Sequence, residues 1–535
     1  MSYNSTNKGK RDKNMKLKKL WGCLLSLGML LSPLTIYAEE DAGIVAYSMD
    51  PNDNRAFTSI VDAWDAACDG TLIYLNKDWN LSSRLIVPEG KNVKIDLYGH
   101  MISRQLSECE SDGEVIYLSK NSSLSISGSQ DGTFNVKNYK EDYTGEKRVD
   151  VTTGGVITGG MSSNGAGGIH MKENSTLNLD HVGVVGNKAN GGVYADYGGG
   201  VKIDGDACTV DLKNGAMISY NRSSLGGGVY VNGQEGHINI DASEISSNLA
   251  ERGGGIYSNC DATYIDLKNN GAIKDNEAYY DGGGISFFHS YNHINSEDAT
   301  GKICSNLVRG EDGKAQGGGI YYDQVVTKTN TATITNVTIE NNTANQSLDE
   351  SYGGGIYSDM ENIEITNCTI NKNYARYGGG LYVNNDGITL KDTKITNNNA
   401  IEDGGGVYVD SRYDLKISGN MTVKDNTNYD GNRSNVFLQN GSFTRAYVSG
   451  TPSSGSEVGL TGDGSCKVGI NQTENNNSFF TDNSDSYHIE YSDGKLYQKE
   501  GATSSIFGNG NVEIACIVIV GIATIGFIVY KKKAN

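Results

Sequence analysis

The stretch Gly378-Gly-Gly-Leu-Tyr-Val, followed by Ile388-Thr-Leu-Lys-Asp, Lys394-Ile-Thr-Asn and Asn398-Asn-Ala, decides the fold. It contains three short runs in which apolar and polar residues alternate with a period of two, and no run with the period of a helix. Three strands of about four residues and three turns fill a unit of roughly 25 residues. The unit therefore predicts one coil of a three-sided parallel β-helix.

This unit recurs along the chain. Its glycine cluster ends at Gly168, Gly200, Gly228, Gly255, Gly284, Gly319, Gly355, Gly380 and Gly406. An Ile, Val or Leu follows every cluster, and an apolar stripe of this kind is buried only when several units stack. The period predicts an all-β, right-handed parallel β-helix over residues 71–435, with the aliphatic side chains inside.

A repeated asparagine precedes the glycine clusters, and an apolar residue usually lies three positions before it. The asparagines are Asn221, Asn248, Asn276, Asn342, Asn373 and Asn398. Asparagine tolerates a left-handed turn, and its side-chain amide can bond to the neighbouring coil to form a ladder. The glycines permit left-handed φ angles and close approach of neighbouring coils.

The two ends of the chain carry targeting signals. Residues 1–38 combine seven Lys or Arg with an apolar stretch and the possible cleavage site Ile36-Tyr37-Ala38, which predicts a signal peptide. Residues 512–530 include an uncharged run from Ile514 to Tyr530, followed by three lysines, which predicts one transmembrane helix with residues 531–535 as a cytoplasmic tail. We expect a cell-surface, single-pass membrane protein whose N-terminal body is extracellular.

The open ends of a β-helix are edge strands that need covers. Residues 39–70 are predicted to form the N-terminal cap, because Phe57 to Cys68 has apolar residues at helical spacing. Residues 436–500 are predicted to form a small C-terminal β cap. Residues 501–511 are read as a polar linker to the transmembrane helix.

The charge of the chain limits its partners. The formal net charge is −19. Without residues 1–38, which hold seven cationic residues and one Asp, it becomes −25. Because such a surface repels phosphate backbones, we expect no nucleic-acid partner.

At the level of a whole unit, Asn248-Leu-Ala-Glu-Arg-Gly-Gly-Gly-Ile-Tyr257 and Asn373-Tyr-Ala-Arg-Tyr-Gly-Gly-Gly-Leu-Tyr382 resemble the repeats of right-handed β-helix surface proteins. These repeats are called adhesin-like or polymorphic-membrane-protein-type and belong to the pectin-lyase-like superfamily. The resemblance covers roughly residues 56–440. It implies the fold, but its members include adhesins, autotransporter passengers and polysaccharide-active enzymes.

Catalytic motifs of the enzymes on this fold are missing from the chain. No Asn-Thr-Asp, Asp-Asp or Gly-His-Gly motif occurs. We therefore predict no catalytic residue, no metal site and no cofactor. A Ca²⁺-dependent lyase-like enzyme stays the alternative, because such enzymes bind Ca²⁺ through several aspartates. The candidate aspartates are Asp204, Asp206, Asp211, Asp241, Asp261 and Asp266.

A row of tyrosines is the candidate binding surface. In six units a tyrosine follows the apolar residue after the glycines, at Tyr230, Tyr257, Tyr321, Tyr357, Tyr382 and Tyr408. By alternation these side chains point outward, where flat rings stack on sugars or contact proteins. Stacking of the rings on each other is the competing interpretation. We expect an adhesin-like rod that binds an extracellular glycan or a protein of a host or neighbouring cell.

Overall fold

The chain forms a parallel β-solenoid of about 11 turns with almost no helix. The computed structural model describes residues 46–50, 53–128, 136–141, 147–151, 155–190, 197–288, 291–323, 331–345, 347–410, 412–439, 447–461, 470–471, 479–482, 487–492 and 495–500. The predicted parallel β-helix architecture is confirmed.

Three rows of parallel strands form the walls of the solenoid, and each strand pairs with its copy in the next turn. Face 1 follows the glycine clusters and consists of Leu85–Val87, Ile116–Leu118, Ile169–Lys172, Val201–Asp204, the first parts of Val229–Asp241 and Ile256–Lys268, Ile285–Phe287, Ile320–Tyr322, Ile356–Ser358, Leu381–Val383, Val407–Val409 and Val436–Leu438. Face 2 consists of Leu72–Leu75, Asn92–Asp96, Ser123–Ser127, Thr176–Asp180, Cys208–Lys213, the second parts of Val229–Asp241 and Ile256–Lys268, Tyr291–Asn295, Ala332–Thr335, Ile363–Thr366, Ile388–Lys391, Asp414–Gly419 and Tyr447–Pro452. Face 3 consists of Trp79–Asn80, Met101–Ser103, Val156–Thr158, Gly183–Val185, Met217–Ser219, Glu244–Ser246, Ala272–Lys274, Lys302–Cys304, Thr338–Glu340, Thr369–Asn371, Lys394–Thr396, Thr422–Lys424, Glu457–Thr461 and Phe479–Thr481.

A fourth row of short strands lies between face 3 and the glycines, and the sequence did not predict it. It consists of Met161–Ser162, Lys188–Ala189, Arg222–Leu225, Leu249–Arg252, Glu277–Asp281, Leu307–Val308, Thr343–Ala344, Tyr374–Ala375 and Asn399–Ala400, with Lys314–Gln316 and Glu350–Tyr352 in two longer turns. Because most of these strands have only two residues, their alternation is too short to stand out in the sequence.

Aliphatic columns fill the bore of the solenoid. Ile256, Ile285 and Ile320 occupy the same register position in consecutive turns and are fully buried. Every face contributes such columns, and together they form one continuous core. Burial of one such side chain stabilises the fold by about 1.5–3 kcal/mol, so a stack of turns is stable where a single turn is not.

An asparagine ladder runs along the corner after face 3. In one rung, the backbone N–H and the Nδ2 of Asn248 both donate to Oδ1 of Asn276, at 3.0 Å each. The same Nδ2 also donates to the carbonyl of Ile218 at 2.8 Å. These groups are buried, so each would cost free energy if it were unpaired. The ladder is confirmed, and it includes Asn187, Asn221, Asn248, Asn276, Asn306, Asn342, Asn373, Asn398, Asn426 and Asn435.

The left-handed position of this corner differs from the prediction. The residue before each ladder asparagine from Asn187 to Asn426, and not the asparagine itself, has a positive φ, as at Ser247 (56°) and Lys372 (53°). The asparagine is needed for its amide, which bonds along the axis, and the preceding residue makes the bend. This explains why the bend tolerates several residue types while the asparagine recurs.

The glycines of each triplet have two different roles. Gly353 and Gly378, the first of their triplets, have φ angles of 65°, which favour glycine. At Gly354, the second of its triplet, an added Cβ would lie 2.4 Å from the carbonyl oxygen of Tyr374 and 2.5 Å from that of Gly379. Triplets are therefore required both for the bend and for the close approach of the next turn.

The ends of the solenoid are described only in part. A helix of six residues, Ile60–Asp65, lies within the predicted capping segment and packs beside the antiparallel strands Ala46–Asp50 and Asp53–Phe57. The longer capping helix is not shown. Four predicted segments lie outside the described residues: the signal peptide (1–38), the linker (501–511), the transmembrane helix (512–530) and the tail (531–535). The predicted N-terminal cap (39–70) is described in part. Within the described part of the chain, no helix is long and apolar enough to cross a membrane.

Parallel pairing continues past the predicted boundary at residue 435. Val436–Leu438 and Tyr447–Pro452 extend faces 1 and 2, and Glu457–Thr461 pairs with Phe479–Thr481. The remaining elements are a small antiparallel sheet of Ile470–Asn471, Tyr487–Ser492 and Lys495–Glu500, and a hairpin of Val136–Glu141 and Lys147–Val151.

Candidate functional site

The tyrosine row lies on the outer side of face 1. Alternation along each strand points Ile256 into the core and Tyr257 away from it, and the same holds in the other turns. Strand register places the row in one column, which begins with Tyr117, His170 and Lys202 and continues through the six tyrosines to Phe437. Ser286 interrupts the column between Tyr257 and Tyr321.

The rings of this column stack on one another along the solenoid axis. Ring centroids lie 5.3 Å apart for Tyr321 and Tyr357, 5.6 Å for Tyr357 and Tyr382, and 5.0 Å for Tyr382 and Tyr408, with interplanar angles of 10° or less. Tyr230 and Tyr257 form a second stacked pair at 5.8 Å. The six side chains are only 5–9% exposed.

Stacking changes what the tyrosines offer to a ligand. The faces of the rings contact neighbouring rings, so within the stack a sugar cannot lie flat on them. The geometry matches the competing interpretation, in which the rings stabilise the register between turns. Such aromatic pairs contribute about 0.5–1.5 kcal/mol beyond the burial of their area. The ring edges and hydroxyl groups are the parts directed away from the backbone.

A second layer of tyrosines, which the sequence did not predict, covers part of this column. Tyr352 and Tyr377 come just before two glycine triplets and stack at 5.8 Å. Tyr352 also contacts the ring of Tyr382 at 4.8 Å, and Tyr377 meets Tyr408 edge-on at 5.4 Å. The sequence feature that indicates this second layer is Tyr-Gly-Gly-Gly in both units. It places an aromatic residue just before the chain enters face 1.

Two residues after each tyrosine comes a carboxylate or an amide, at Asn232, Asn259, Asp323, Asp359, Asn384 and Asp410. The hydroxyl of Tyr321 donates to Asp323 at 3.3 Å, and that of Tyr382 donates to Asp410 at 3.1 Å. Burial, together with the charge of Asp323, raises the pKa of Asp359 to about 6. Burial also raises the pKa of Tyr321 far above its usual value. The outer side of face 1 therefore carries a strip of neutral hydroxyls beside acidic groups.

Ser286 stands where other turns have a tyrosine, and an ion pair fills the space. Its hydroxyl donates to Asp281 at 2.7 Å, and Asp281 also forms a salt bridge with Arg252. Asp281 is 2% exposed. The ring of Phe288 stacks on Tyr257 at 6.4 Å from the neighbouring position of the strand.

At the N-terminal end of the column the aromatic residues give way to a cluster of charged side chains. Arg84 donates to Glu114 at 2.6 Å, and His170 lies between Glu114 (3.9 Å) and Asp204 (3.3 Å). Hydrogen bonding by His170, together with the nearby lysines, lowers the pKa of Asp204 strongly. Burial lowers the pKa of Lys202.

The aspartates considered for Ca²⁺ binding do not come together. Asp211 accepts a hydrogen bond from Asn239 at 2.7 Å, and Asp241 accepts one from Asn269 at 2.6 Å, so each is paired with an amide of the next turn. Asp204 lies on face 1, away from these face 2 residues. Among the described residues, no group of three or more His, Cys, Asp or Glu side chains is placed to hold a metal ion.

No protein-family profile, curated protein or solved structure matches the chain. The resemblance to adhesin-like β-helix proteins therefore rests on the repeat sequence, and any function has to be argued from the surface of the solenoid.

Proposed function

We propose that this protein is a membrane-anchored cell-surface protein that presents a rigid β-helix rod for binding glycans or proteins. The observation that carries the proposal is the column on face 1, in which tyrosine hydroxyls and flanking carboxylate or amide groups repeat once per turn, about 4.8 Å apart. A repeated surface of this kind suits weak contacts that add up by multivalency.

Several finer features belong to the same proposal. The right-handed sense of the coil is supported by the strong preference of parallel crossovers for that hand. Membership of the adhesin-like repeats in the pectin-lyase-like superfamily is supported by the repeat sequence. The signal peptide and the transmembrane helix are supported by the composition of residues 1–38 and 512–530. The short helix Ile60–Asp65 and its neighbouring hairpin are the candidates for an N-terminal cap.

Binding through the tyrosine column would use hydroxyls and ring edges. Tyr321 and Tyr382 bond to acidic groups, so a ligand with hydrogen-bond donors fits this strip better than an anionic one. The overall negative charge of the body acts in the same direction. Glycans and the polar surfaces of proteins both meet this requirement.

A carbohydrate-active enzyme is the second candidate, and the charged cluster on face 1 is the observation that favours it. Lys202 has a lowered pKa because of burial, and a lysine of this kind is suited to accept a proton. Arg84 and His170 lie in the same cluster. A Ca²⁺-dependent lyase would also require a group of carboxylates for the metal.

The two candidates are separated by one set of experiments. The full chain in detergent is applied to arrays of glycans and, in parallel, incubated with acidic polysaccharides and Ca²⁺. If the protein is an adhesin, it binds glycans without converting them. Binding is then expected to fall at least tenfold in the triple variant Tyr321→Phe/Tyr357→Phe/Tyr382→Phe, which keeps the stacked rings but lacks their hydroxyls. Tyr374→Phe, on the fourth row, serves as the matched control. Formation of unsaturated products would refute adhesion as the function, and equal binding by the triple variant would remove the tyrosine column from it.

A further inference from the structure

Among the described residues, the charged cluster at the N-terminal end of face 1 contains a buried carboxylate oxygen without a hydrogen-bond partner and a lysine without a close ion pair. The side chain of Lys202 is 10% exposed, and its Nζ comes no closer to a carboxylate than the 3.9 Å to Asp204 among the described residues. The carboxylate of Glu114 is 1% exposed. Its Oε1 accepts from Arg84, whereas Oε2 has no hydrogen-bond partner within the described part of the chain.

The unpaired oxygen of Glu114 is costly for a protein that uses it only for stability. A buried carboxylate oxygen without a hydrogen bond loses the solvation it had in water and gains nothing in return. His170 connects Glu114 to Lys202, because His170 lies 3.9 Å from Glu114 and pairs with Lys202 in the register of face 1.

His170 and two tyrosines define the surroundings of this pair. His170 is stacked between Tyr117 and Lys202 in the face 1 column, with its ring edge-on to Tyr117 at 5.2 Å. The ammonium of Lys202 lies 5.1 Å from the ring centre of Tyr197. The cluster therefore combines charged side chains with aromatic rings on two sides, a composition typical of small-molecule sites.

Gly165 lies against the polar atoms of the cluster. A Cβ at this residue would lie 3.5 Å from Nδ1 of His170 and 3.6 Å from Oε2 of Glu114. The same Cβ would lie 3.2 Å from Oγ of Ser162. A larger residue at this position would therefore occupy the space beside the unpaired oxygen of Glu114.

We propose that Lys202, Glu114 and His170 form a binding site for the hydroxyl groups of a neutral saccharide unit. A hydroxyl both donates and accepts, so adjacent sugar hydroxyls would accept from Nζ of Lys202 and donate to Oε2 of Glu114. Burial raises the pKa of Glu114, but His170 and the hydrogen bond from Arg84 outweigh burial and lower it, which keeps the carboxylate an acceptor. The negative body of the protein disfavours anionic sugars.

This inference rests on the proposed function in taking a glycan as the ligand, but it places the glycan on a different part of face 1. The tyrosine column offers a repeated strip with stacked rings, whereas this cluster occurs once. Substitutions in one are therefore expected to leave the other intact.

The test uses the full chain in detergent on an array of neutral and acidic oligosaccharides. We expect binding to neutral oligosaccharides, with a loss of at least tenfold in Lys202→Met and in Glu114→Gln. Lys213→Met is the matched control, because Lys213 is half exposed on face 2, where it pairs with Asp211. Gly165→Ala is expected to weaken binding as well, since its methyl group would lie 3.6 Å from Oε2 of Glu114.

Thermal unfolding of the same variants separates binding from folding. Lys202→Met removes a desolvated charge, so its unfolding temperature is expected to equal or exceed that of the wild type while binding is lost. A large fall in unfolding temperature together with loss of binding would assign Lys202 a structural role and overturn the proposal.

Each other outcome also decides the matter. Wild-type binding in the Lys202 and Glu114 variants would overturn the site while leaving adhesion in place. Binding to acidic sugars alone would overturn the proposed hydroxyl chemistry. Binding to no oligosaccharide would overturn the site and the glycan branch of the proposed function, and would leave only protein binding.

Discussion

Replacement of one ladder asparagine by alanine is expected to open the solenoid locally. In Asn373→Ala, the backbone N–H of Asn342 loses its acceptor, to which it donates at 2.9 Å. The carbonyl of Ile339 loses the amide that donates to it at 2.9 Å. Nδ2 of Asn342 keeps its bond to Ile303, and Ile339 stays in the strand that pairs with Thr369–Asn371, so the group left unpaired is the backbone N–H of Asn342.

The size of the effect follows from this group and from the space that the amide leaves. A buried group without a partner costs about 1–3 kcal/mol, and the empty space and the other lost bonds add to this cost. We expect a loss of about 2–4 kcal/mol in local stability. Since about 1.4 kcal/mol corresponds to a tenfold change in an equilibrium constant, amide hydrogen exchange in the affected turns should accelerate by about one to three orders of magnitude.

Hydrogen exchange followed by mass spectrometry is the suitable assay, because the turns of a solenoid open locally and a single unfolding transition is not assured. Peptides that cover Thr338–Glu340 and Thr369–Asn371 report the effect. The matched control is Asn371→Ala, two residues away, whose outward amide makes one partly buried bond of 3.3 Å to Glu340. Equal exchange in the two variants would refute the reasoning about the ladder.

Three further predictions concern other parts of the solenoid. Gly354→Ala should lower stability by at least about 3 kcal/mol, because its Cβ would meet carbonyl oxygens of the next turn. Gly313→Ala, whose Cβ would meet nothing within 4 Å, should lower stability by about 1 kcal/mol from its positive φ alone. Thermal unfolding compares the two variants, and similar losses would contradict the close-approach role. Asn292 is buried, and both atoms of its amide are unpaired among the described residues. Asn292→Val should therefore raise stability by about 1–3 kcal/mol, while Thr263→Val, which removes a 2.7 Å bond to a serine, should lower it by about 1 kcal/mol. A loss of stability in both variants would show that the amide of Asn292 has hydrogen-bond partners. Burial raises the pKa of Asp359 to about 6, above its unfolded value of about 3.9. The contribution of this carboxyl to stability is therefore complete below about pH 4 and is lost as the pH rises through about 6. The fall in unfolding temperature between about pH 5 and 7.5 should be smaller in Asp359→Asn than in the wild type, and an identical fall would contradict the pKa shift.

The repeat period was sufficient to predict the main architecture. Gly-Gly-Gly-Ile-Tyr and the apolar-x-x-Asn spacing gave the inward direction of Ile256, the outward direction of Tyr257 and the existence of the ladder. Asn187, Asn306 and Asn426 follow Val184, Ile303 and Val423 by the same three residues. The sequence therefore also contains the signal for these three members of the ladder.

Lateral packing could not be predicted from the period. The sequence places Tyr357 on the outer side, but its burial depends on stacking with neighbouring turns and on the second layer formed by Tyr352 and Tyr377. Apart from the contact between Tyr352 and Tyr357, these contacts join residues that are 25 or more positions apart in the chain. The repeat determines the spacing between turns. The side chains that cover a row come from segments that differ from turn to turn.

The charged cluster was invisible for a related reason. Arg84, Glu114, His170 and Lys202 come from four turns with irregular lengths at the start of the solenoid. Only the register of face 1 brings His170 and Lys202 into one column and places Arg84 and Glu114 beside them. The end of the asparagine ladder is similar, because Asp482 accepts from the backbone N–H and the Nδ2 of Asn435 across a 47-residue separation.

Distances between spin labels test the stacking of turns most directly. Labels carried by ketone-bearing residues avoid the nine cysteines. One label replaces Lys391, and the second replaces Asp266, Asp211 or Lys94, which precede it in the same outward column of face 2 by four, six and nine turns. At about 4.8 Å per turn, the backbone separations are roughly 19, 29 and 43 Å. A linear increase with the number of turns is the predicted result, and distances that do not follow this order would contradict the solenoid.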